Sequence, residues 1–326
     1  MRTVIRAQKV ALIAFAASVA GIAQSPPSIL ELISVSSGGV QGNASSGTSG
    51  FTTPSGARAS VTADGRFVAF MSFADNLVPD DTNLSADVFV RDRLLGTTER
   101  VSVTSKGNEG NGHSGISSSS VDISDDGRFV VFDSEATNLV RGDDNANAEV
   151  FVHDRLTGET ELITRGLDGD PATGDSPAIS ADGRFVAFTS FGQNLVADHP
   201  EFDFSRHAYV YDRQTQVIER VDVDSNVVLG SGSATGVAIS ADGRYIAFDT
   251  FADNLVPGPG DQQGIDVFVR DRVNGTTEGI STSGDTGQFE GNSFLSSITS
   301  TGRFVGFSSD DPTFEGGASS AASSAT

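Results

Sequence analysis

The chain has 326 residues, of which 43 are Asp or Glu and 21 are Lys or Arg, giving a formal net charge of −22 at pH 7. That balance excludes a nucleic-acid partner and an anionic membrane surface, since both call for a basic stripe. The absence of cysteine excludes a disulfide framework, a thiolate nucleophile, Cys-ligated zinc and a lipid-modified cysteine anchor; 22 Phe and 37 Gly with no Trp point to a packed core and many turns between short strands.

At the N-terminus, Arg2, Arg6 and Lys9 precede an apolar run from Val10 to Ala20, and Gly21 and Ala23 stand at −3 and −1 of a signal-peptidase site. Residues 1–23 read as a secretory signal peptide cut near Ala23/Gln24. The competing reading, an amphipathic helix of the mature protein, lacks a polar face, because only Ser18 interrupts Val10–Val19. The apolar run is too short to cross a hydrocarbon core of about 30 Å, and no later segment is long or apolar enough to anchor the chain. The expectation is a periplasmic or extracellular protein with no membrane insertion after cleavage. Losing the leader's three positive charges takes the net charge from −22 to −25.

Beyond the leader the chain repeats itself about every 59 residues. Asp64-Gly65-Arg66-Phe67-Val68-Ala69-Phe70 returns from Asp126, Asp182 and Asp242, and in altered form from Thr301. A second motif, Asp87-Val88-Phe89-Val90-Arg91-Asp92-Arg93, recurs at Glu149–Arg155, His207–Arg213 and Asp266–Arg272. Asn-Leu-Val lies between the two, at Asn76, Asn138, Asn194 and Asn254.

Each unit reads as four strands. In the second unit they are Ser120–Ile123, Phe129–Asp133 after an Asp-Gly hairpin turn, Val150–His153, and a strand of the Thr98–Val103 type after an Asp-Arg-x-x-Gly-x-Thr turn. In Phe67-Val68-Ala69-Phe70 both faces are apolar, whereas a half-solvated strand alternates. A small sheet of this kind must be covered on both sides, and sheets stacked face to face around an axis achieve that, so the expected fold is an all-β, β-propeller architecture. A solenoid or tandem sandwiches fit the unit length and the doubly apolar strands less well.

Ile29–Val35 matches a fourth strand, while Ser297–Thr299 and Phe304–Phe307 match a first and second, so a fifth blade closed by both termini is expected. The units run about 37–103, 104–165, 166–223, 224–282 and 283–310 plus 29–36. The propeller is thus placed at 24–310 as about five four-stranded blades, and 311–326 is a low-complexity Gly/Ala/Ser tail.

The run Ser180-Ala181-Asp182-Gly183-Arg184-Phe185-Val186-Ala187-Phe188, with an Asp87–Arg93-type motif following in each unit, resembles the TolB-type propeller repeat of bacterial exported proteins over about residues 29–310. The resemblance implies a platform for protein interactions in the periplasm or outside the cell, with no catalytic residues. The repeat begins close to the expected cleavage point, leaving no room for the N-terminal α/β domain of TolB itself. The fifth copy departs from the pattern at Thr301 and Gly306.

The loop between the second and third strands carries the best chemical candidates. Asp81, Asn83 and Asp87 offer oxygen donors at spacing 1, 3 and 7, and Asp143, Asn145 and Glu149 repeat that spacing. Hard oxygen donors on a turn suit calcium, so these six are the candidate metal ligands and calcium the one cofactor suggested. The loop lacks the glycine of an EF-hand and decays in the third and fourth units. Asx turns that hold the loop are the favoured use of the same side chains.

Asp92, Asp154, Asp212 and Asp271 recur too regularly for a catalytic group; turn capping and pairing with Arg66, Arg128, Arg184 and Arg244 is expected of them. The histidines, His113, His153, His199 and His207, have no His-x-x-x-His type of spacing, and His153, in the place of Arg91, reads as solvent-facing. No Gly-x-Ser-x-Gly elbow occurs. Gly-x-x-Gly-Asn loops at Gly39–Asn43 and Gly107–Asn111, with a longer form at Gly287–Asn292, make a polar rim of the kind that binds ligands. The function expected is a non-catalytic protein-interaction or ligand-binding module with an envelope or extracellular protein or glycan as partner. A calcium-stabilised carbohydrate- or peptide-binding propeller is one alternative. A propeller hydrolase or lyase is another, with the irregular stretch Asp198–Asp203 as its one foothold.

Overall fold

A computed structural model describes residues 30–47, 59–117, 121–197, 199, 203–257, 264–282 and 291–310, and the backbone of 322–324. The expected signal peptide and most of the Gly287–Asn292 loop lie outside the described residues. Every regular element described is a strand. The first sheet holds β1 (Ser60–Val61), β2 (Phe67–Ser72), β3 (Asp87–Asp92) and β4 (Thr97–Arg100). The second holds β5 (Val121–Ile123), β6 (Phe129–Ser134), β7 (Glu149–Asp154) and β8 (Glu159–Leu162). The third holds β9 (Asp175–Ile179), β10 (Phe185–Ser190), β11 (His207–Asp212) and β12 (Val217–Arg220). The fourth holds β13 (Ala234–Ile239), β14 (Tyr245–Thr250), β15 (Asp266–Asp271) and β16 (Thr276–Gly279), and the fifth β17 (Ser293–Ile298), β18 (Phe304–Ser309) and β19 (Ala322–Ser324). Within each sheet the strands pair antiparallel in chain order.

First strands of successive sheets meet one another, β1 with β5, β5 with β9, β9 with β13 and β13 with β17, which puts strand one innermost and strand four on the outer rim. The sheets face each other across apolar layers, and the alternation along strand two assigns the sides. Ala69 and Met71 join Val130 and Phe132 between the first and second sheets; Val131 joins Val186 and Phe188 between the second and third; Ala187 joins Ile246 and Phe248 between the third and fourth. Ala247 and Val267 join Val305 between the fourth and fifth. The doubly apolar strand of the sequence is thus a strand shared between two cores, and the fold is a β-propeller of about five blades.

One contact recurs at each junction. The Asp-Gly glycine of one blade, Gly127 at φ 72°, lies so close under Phe67 of the preceding blade that a Cβ there would overlap the ring; Gly183 under Phe129, Gly243 under Phe185 and Gly302 under Tyr245 repeat this. The Phe67 ring is also sandwiched by guanidinium groups, Arg66 and Arg155 each 4.5 Å from its centroid. Arg155 in turn pairs with Glu99 of the preceding β4 at 2.5 Å.

Two features of the ends differ from a simple closing blade. The third strand of the fifth sheet, β19, comes from the Gly/Ala/Ser tail, where backbone pairing with β18 needs no apolar side chain. Leu30–Ile33 has no strand pairing among the described residues, yet it occupies the place of a preceding blade's fourth strand. Glu31 pairs with Arg93 at 2.6 Å as Glu99 does with Arg155, Thr98 Oγ1 donates to Val35 O as Thr160 Oγ1 does to Val103 O, and Ile33 packs on Phe70 and Phe89.

Candidate functional site

The repeated Asp–Arg residues are structural. Asp154, opposite Phe129 at the end of β7, takes Arg128 Nε at 2.8 Å and Nη2 at 2.6 Å, and accepts the Leu156 N–H of the following turn at 2.9 Å. Arg66–Asp92, Arg184–Asp212 and Arg244–Asp271 repeat the pair. Arg128 holds the Asp154 carboxyl well below its ordinary range. On the opposite face, the Asn of Asn-Leu-Val ties down the loop from strand four to strand one: Asn138 Nδ2 donates to Glu109 O and its Oδ1 accepts from Asn111 N, with Asn76 and Asn254 doing the same.

On that second face each of the first four blades sets the first residue of strand three beneath the loop from strand two. Asp87, Glu149, His207 and Asp266 hold this position, paired across to the last residue of strand two, and all are buried. Two strand-four residues look onto it: Arg100, Leu162, Arg220 and Gly279 at one position, Ser102, Thr164, Asp222 and Ser281 at the other. Loop residues close the top. Differences at these places decide what each pocket can hold.

In the first blade the chain supplies its own cation. Arg100 Nη1 lies 3.4 Å from Asp81, 3.3 Å from Asp87 and 2.5 Å from Glu109, and Ser102 Oγ donates to Asp87 at 2.5 Å. Asn83 turns its amide N–H toward Asp87 and Gly110 O while its Oδ1 accepts from Ser85 N, an Asx turn. Asp81 is still pushed up to about 6, by burial and then by the Asp87 charge.

The second blade has the same acidic pocket without that cation. Leu162 replaces Arg100, and Pro171 stands where Glu109 does. Asp143 is 5% exposed and Glu149 fully buried, and among the described residues neither has an ion-pair partner, Asn145 being the one polar group that bears on both. Burial, then the Asp143 charge, pushes Glu149 up to about 8; burial also raises Asp143. Asn145 stands between them in the loop, its Oδ1 accepting from Asn147 N. Of the six residues proposed from spacing, Asp81 and Asp87 meet the Arg100 guanidinium and Asn83 bonds Asp87, whereas Asp143 and Glu149 have no ion pair among the described residues.

In the third blade the floor is His207. Its Nδ1 bonds Asp222 Oδ2 at 2.8 Å and its Nε2 bonds Asp203 Oδ2 at 2.9 Å, with the His199 ring 5.7 Å away. Sequence spacing brought no histidines together; the fold brings two, because the loop from strand two returns over the head of strand three. The signal present in the sequence was the exchange of an acid for His207 at the head of one strand three. His153 also departs from expectation: it is buried, its Nδ1 paired with Thr160 Oγ1 at 2.9 Å, because the Arg91 position it fills is itself buried. His113 accepts the Ala86 N–H through Nδ1.

A cleft of about 1300 Å³ opens on the outer rim between β8 and β12, lined by Leu162, Arg165, Tyr211, Ile218 and Leu229 among others. No helix among the described residues is long and apolar enough to cross a membrane.

No protein-family model matches the chain and no curated protein sequence matches it. Among solved structures, the chain is similar to TolB from Acinetobacter baumannii at 20% identity and a TM-score of 0.44, over 78% of this chain and 52% of that one. It is similar to a TolB-type protein from Agrobacterium tumefaciens at 16% identity and TM-score 0.47, over 78% and 70%. The β-propeller domain of the Trilobed protease from Pyrococcus furiosus matches at 14% identity and TM-score 0.44, over 78% and 62%. The chain spans about half the length of the first of these. These likenesses concern the fold, a TolB-like β-propeller, and no residue role passes with them.

Proposed function

We propose that this protein is a calcium-stabilised, non-catalytic binding propeller of the cell envelope or extracellular space, with a protein or glycan as its partner. The observation that carries the reading is the pair Asp143 and Glu149, two buried carboxylates with no ion pair among the described residues at a place where an arginine pairs with the acids one blade earlier. A buried uncompensated carboxylate is costly, and a hard divalent cation held by Asp143, Glu149 and Asn145 would offset that cost. The rim cleft between β8 and β12 supplies mixed apolar and polar surface for a partner. The repeated Asp–Arg pairs are used in holding turns, which supports a binding rather than a catalytic role.

Thermal unfolding at pH 8 tests the reading. Saturating calcium should raise Tm by roughly 5–10 °C, chelator should reverse the rise, and Asp143→Asn or Glu149→Gln should abolish it while Asp81→Asn leaves it. The raised folded-state pKa of Glu149 gives this group a contribution that is fully present in acid and is lost as pH climbs toward 8 in the calcium-free chain. Calcium must displace that proton, so its affinity should fall by up to about tenfold per pH unit below 8. An unchanged Tm in millimolar calcium would remove the calcium part of the reading, and turnover of polysaccharides or chromogenic esters would remove the non-catalytic part.

A further inference from the structure

The geometry points to a second metal site of a different kind: His199, Asp203 and His207 in the third blade hold a transition-metal ion, zinc by the chemistry of the donors. One ligand atom from each of the three lies within 4.8 Å of the other two. Asp203 Oδ2 and His207 Nε2 are already 2.9 Å apart, close to the separation of about 3.3 Å between neighbouring ligands around a tetrahedral zinc with bonds of about 2.0–2.2 Å.

The surroundings of His207 are those of a metal ligand. Its ring is fully buried at the head of β11, and Nδ1 is engaged by Asp222, which leaves Nε2 aimed at the other two side chains. Asp222 is itself fixed by Arg220, whose Nε and Nη2 lie 2.9 and 3.2 Å from its two oxygens. A carboxylate behind a metal-bound imidazole sets the tautomer and raises the basicity of the ligating nitrogen. Asp203 is held by the Ser205 N–H on its Oδ1 at 3.0 Å, so Oδ2 faces the histidines. His199 and Asp203 are half-buried at the loop surface, which gives an ion a way in.

Two imidazoles and one carboxylate suit zinc and its neighbours and do not suit calcium, which takes oxygen. Three protein donors leave a fourth position for water or a ligand group. The site belongs to one blade only, since Asp87, Glu149 and Asp266 replace His207 elsewhere. It also stands apart from the calcium reading, which uses other residues of another blade.

The alternative is His207 bonded to Asp203 and Asp222 with no metal, and calorimetry separates the two. Metal-stripped full-length protein is titrated with zinc and, for its visible absorption, with cobalt(II). The expected result is one zinc per chain and a tetrahedral cobalt spectrum. His199→Ala, a change at the half-buried loop position, should lower zinc affinity at least about tenfold, and Asp222→Asn by about 10–100-fold. Asp143→Asn should leave zinc binding unchanged, and calcium should not compete. Circular dichroism first establishes that each variant is folded. No zinc bound at micromolar concentration, or the same affinity in His199→Ala, overturns the proposal.

Discussion

Arg100 and Leu162 hold the same register position in successive blades, and that difference decides whether the acidic cluster has an internal cation. Arg100→Leu should therefore leave the first cluster, with Glu109 as a third acid, without its cation. Removing one partner of a buried ion pair costs about 3–5 kcal/mol, and calcium should recover part of the loss. The sign follows from the carboxyls: burial raises Asp81 and Asp87 whereas Glu109 is held low, so the Glu109 part of the deficit is present at pH 5 and the deficit grows toward pH 8 as the other two ionise. Denaturant titrations of both proteins at the two pH values measure it; equal losses at pH 5 and 8 would show that ionisation of Asp81 and Asp87 is not responsible. At this scale the sequence offered two sets of candidate donors, Asp143, Asn145 and Glu149 among them, but not which acids were already paired with a cation. The reason is that Arg100 lies 13 residues from Asp87 in sequence and meets it only through β3–β4 pairing.

The turns show how far local chemistry reaches. The strand three-to-four turn uses Gly96, Gly158 and Gly275 at positive φ, whereas the third blade places Gln216 there at φ 59°. A non-glycine residue in that region costs about 1 kcal/mol or more, partly offset by the extra unfolded-state entropy of glycine. Gln216→Gly should thus stabilise the third blade by about 0.5–1 kcal/mol, read as a higher unfolding midpoint. Gly158 and Gly127 are both left-handed glycines, but nothing lies within 4 Å of a Cβ at Gly158, while one at Gly127 meets Phe67. Gly158→Ala should cost about 1 kcal/mol, the backbone strain alone. Gly127→Ala should cost several times more because the neighbouring blade must shift. The Asp-Gly signal foretold the hairpin from sequence; that its glycine also seats another blade's ring is a contact 60 residues away in the chain.

Across the whole molecule the junctions are not equal. Phe67, Phe129, Phe185 and Tyr245 are half-buried against the next blade, whereas Phe304, the same position in the fifth sheet, is 41% exposed. Phe67→Ala should cost about 2–3 kcal/mol, below the range for fully buried Phe because part of the ring is solvated, and Phe304→Ala less than about 1. Equal losses would mean that Phe304 is covered as well as its counterparts. Hydrogen exchange should likewise find the second, third and fourth sheets most protected, since each of them has a packed core on both faces. The sequence alone determined the repeat, the strands, their doubly apolar character and hence sheets stacked face to face, because periodicity and turn chemistry are local and each unit restates them. Only the tertiary structure decided which acidic loop is left without a cation, that His199 and His207 meet, and that the tail supplies the fifth sheet's third strand while Leu30–Ile33 joins no sheet among the described residues. Those outcomes depend on contacts between residues far apart in the chain, and such contacts leave no spacing in the sequence by which to read them.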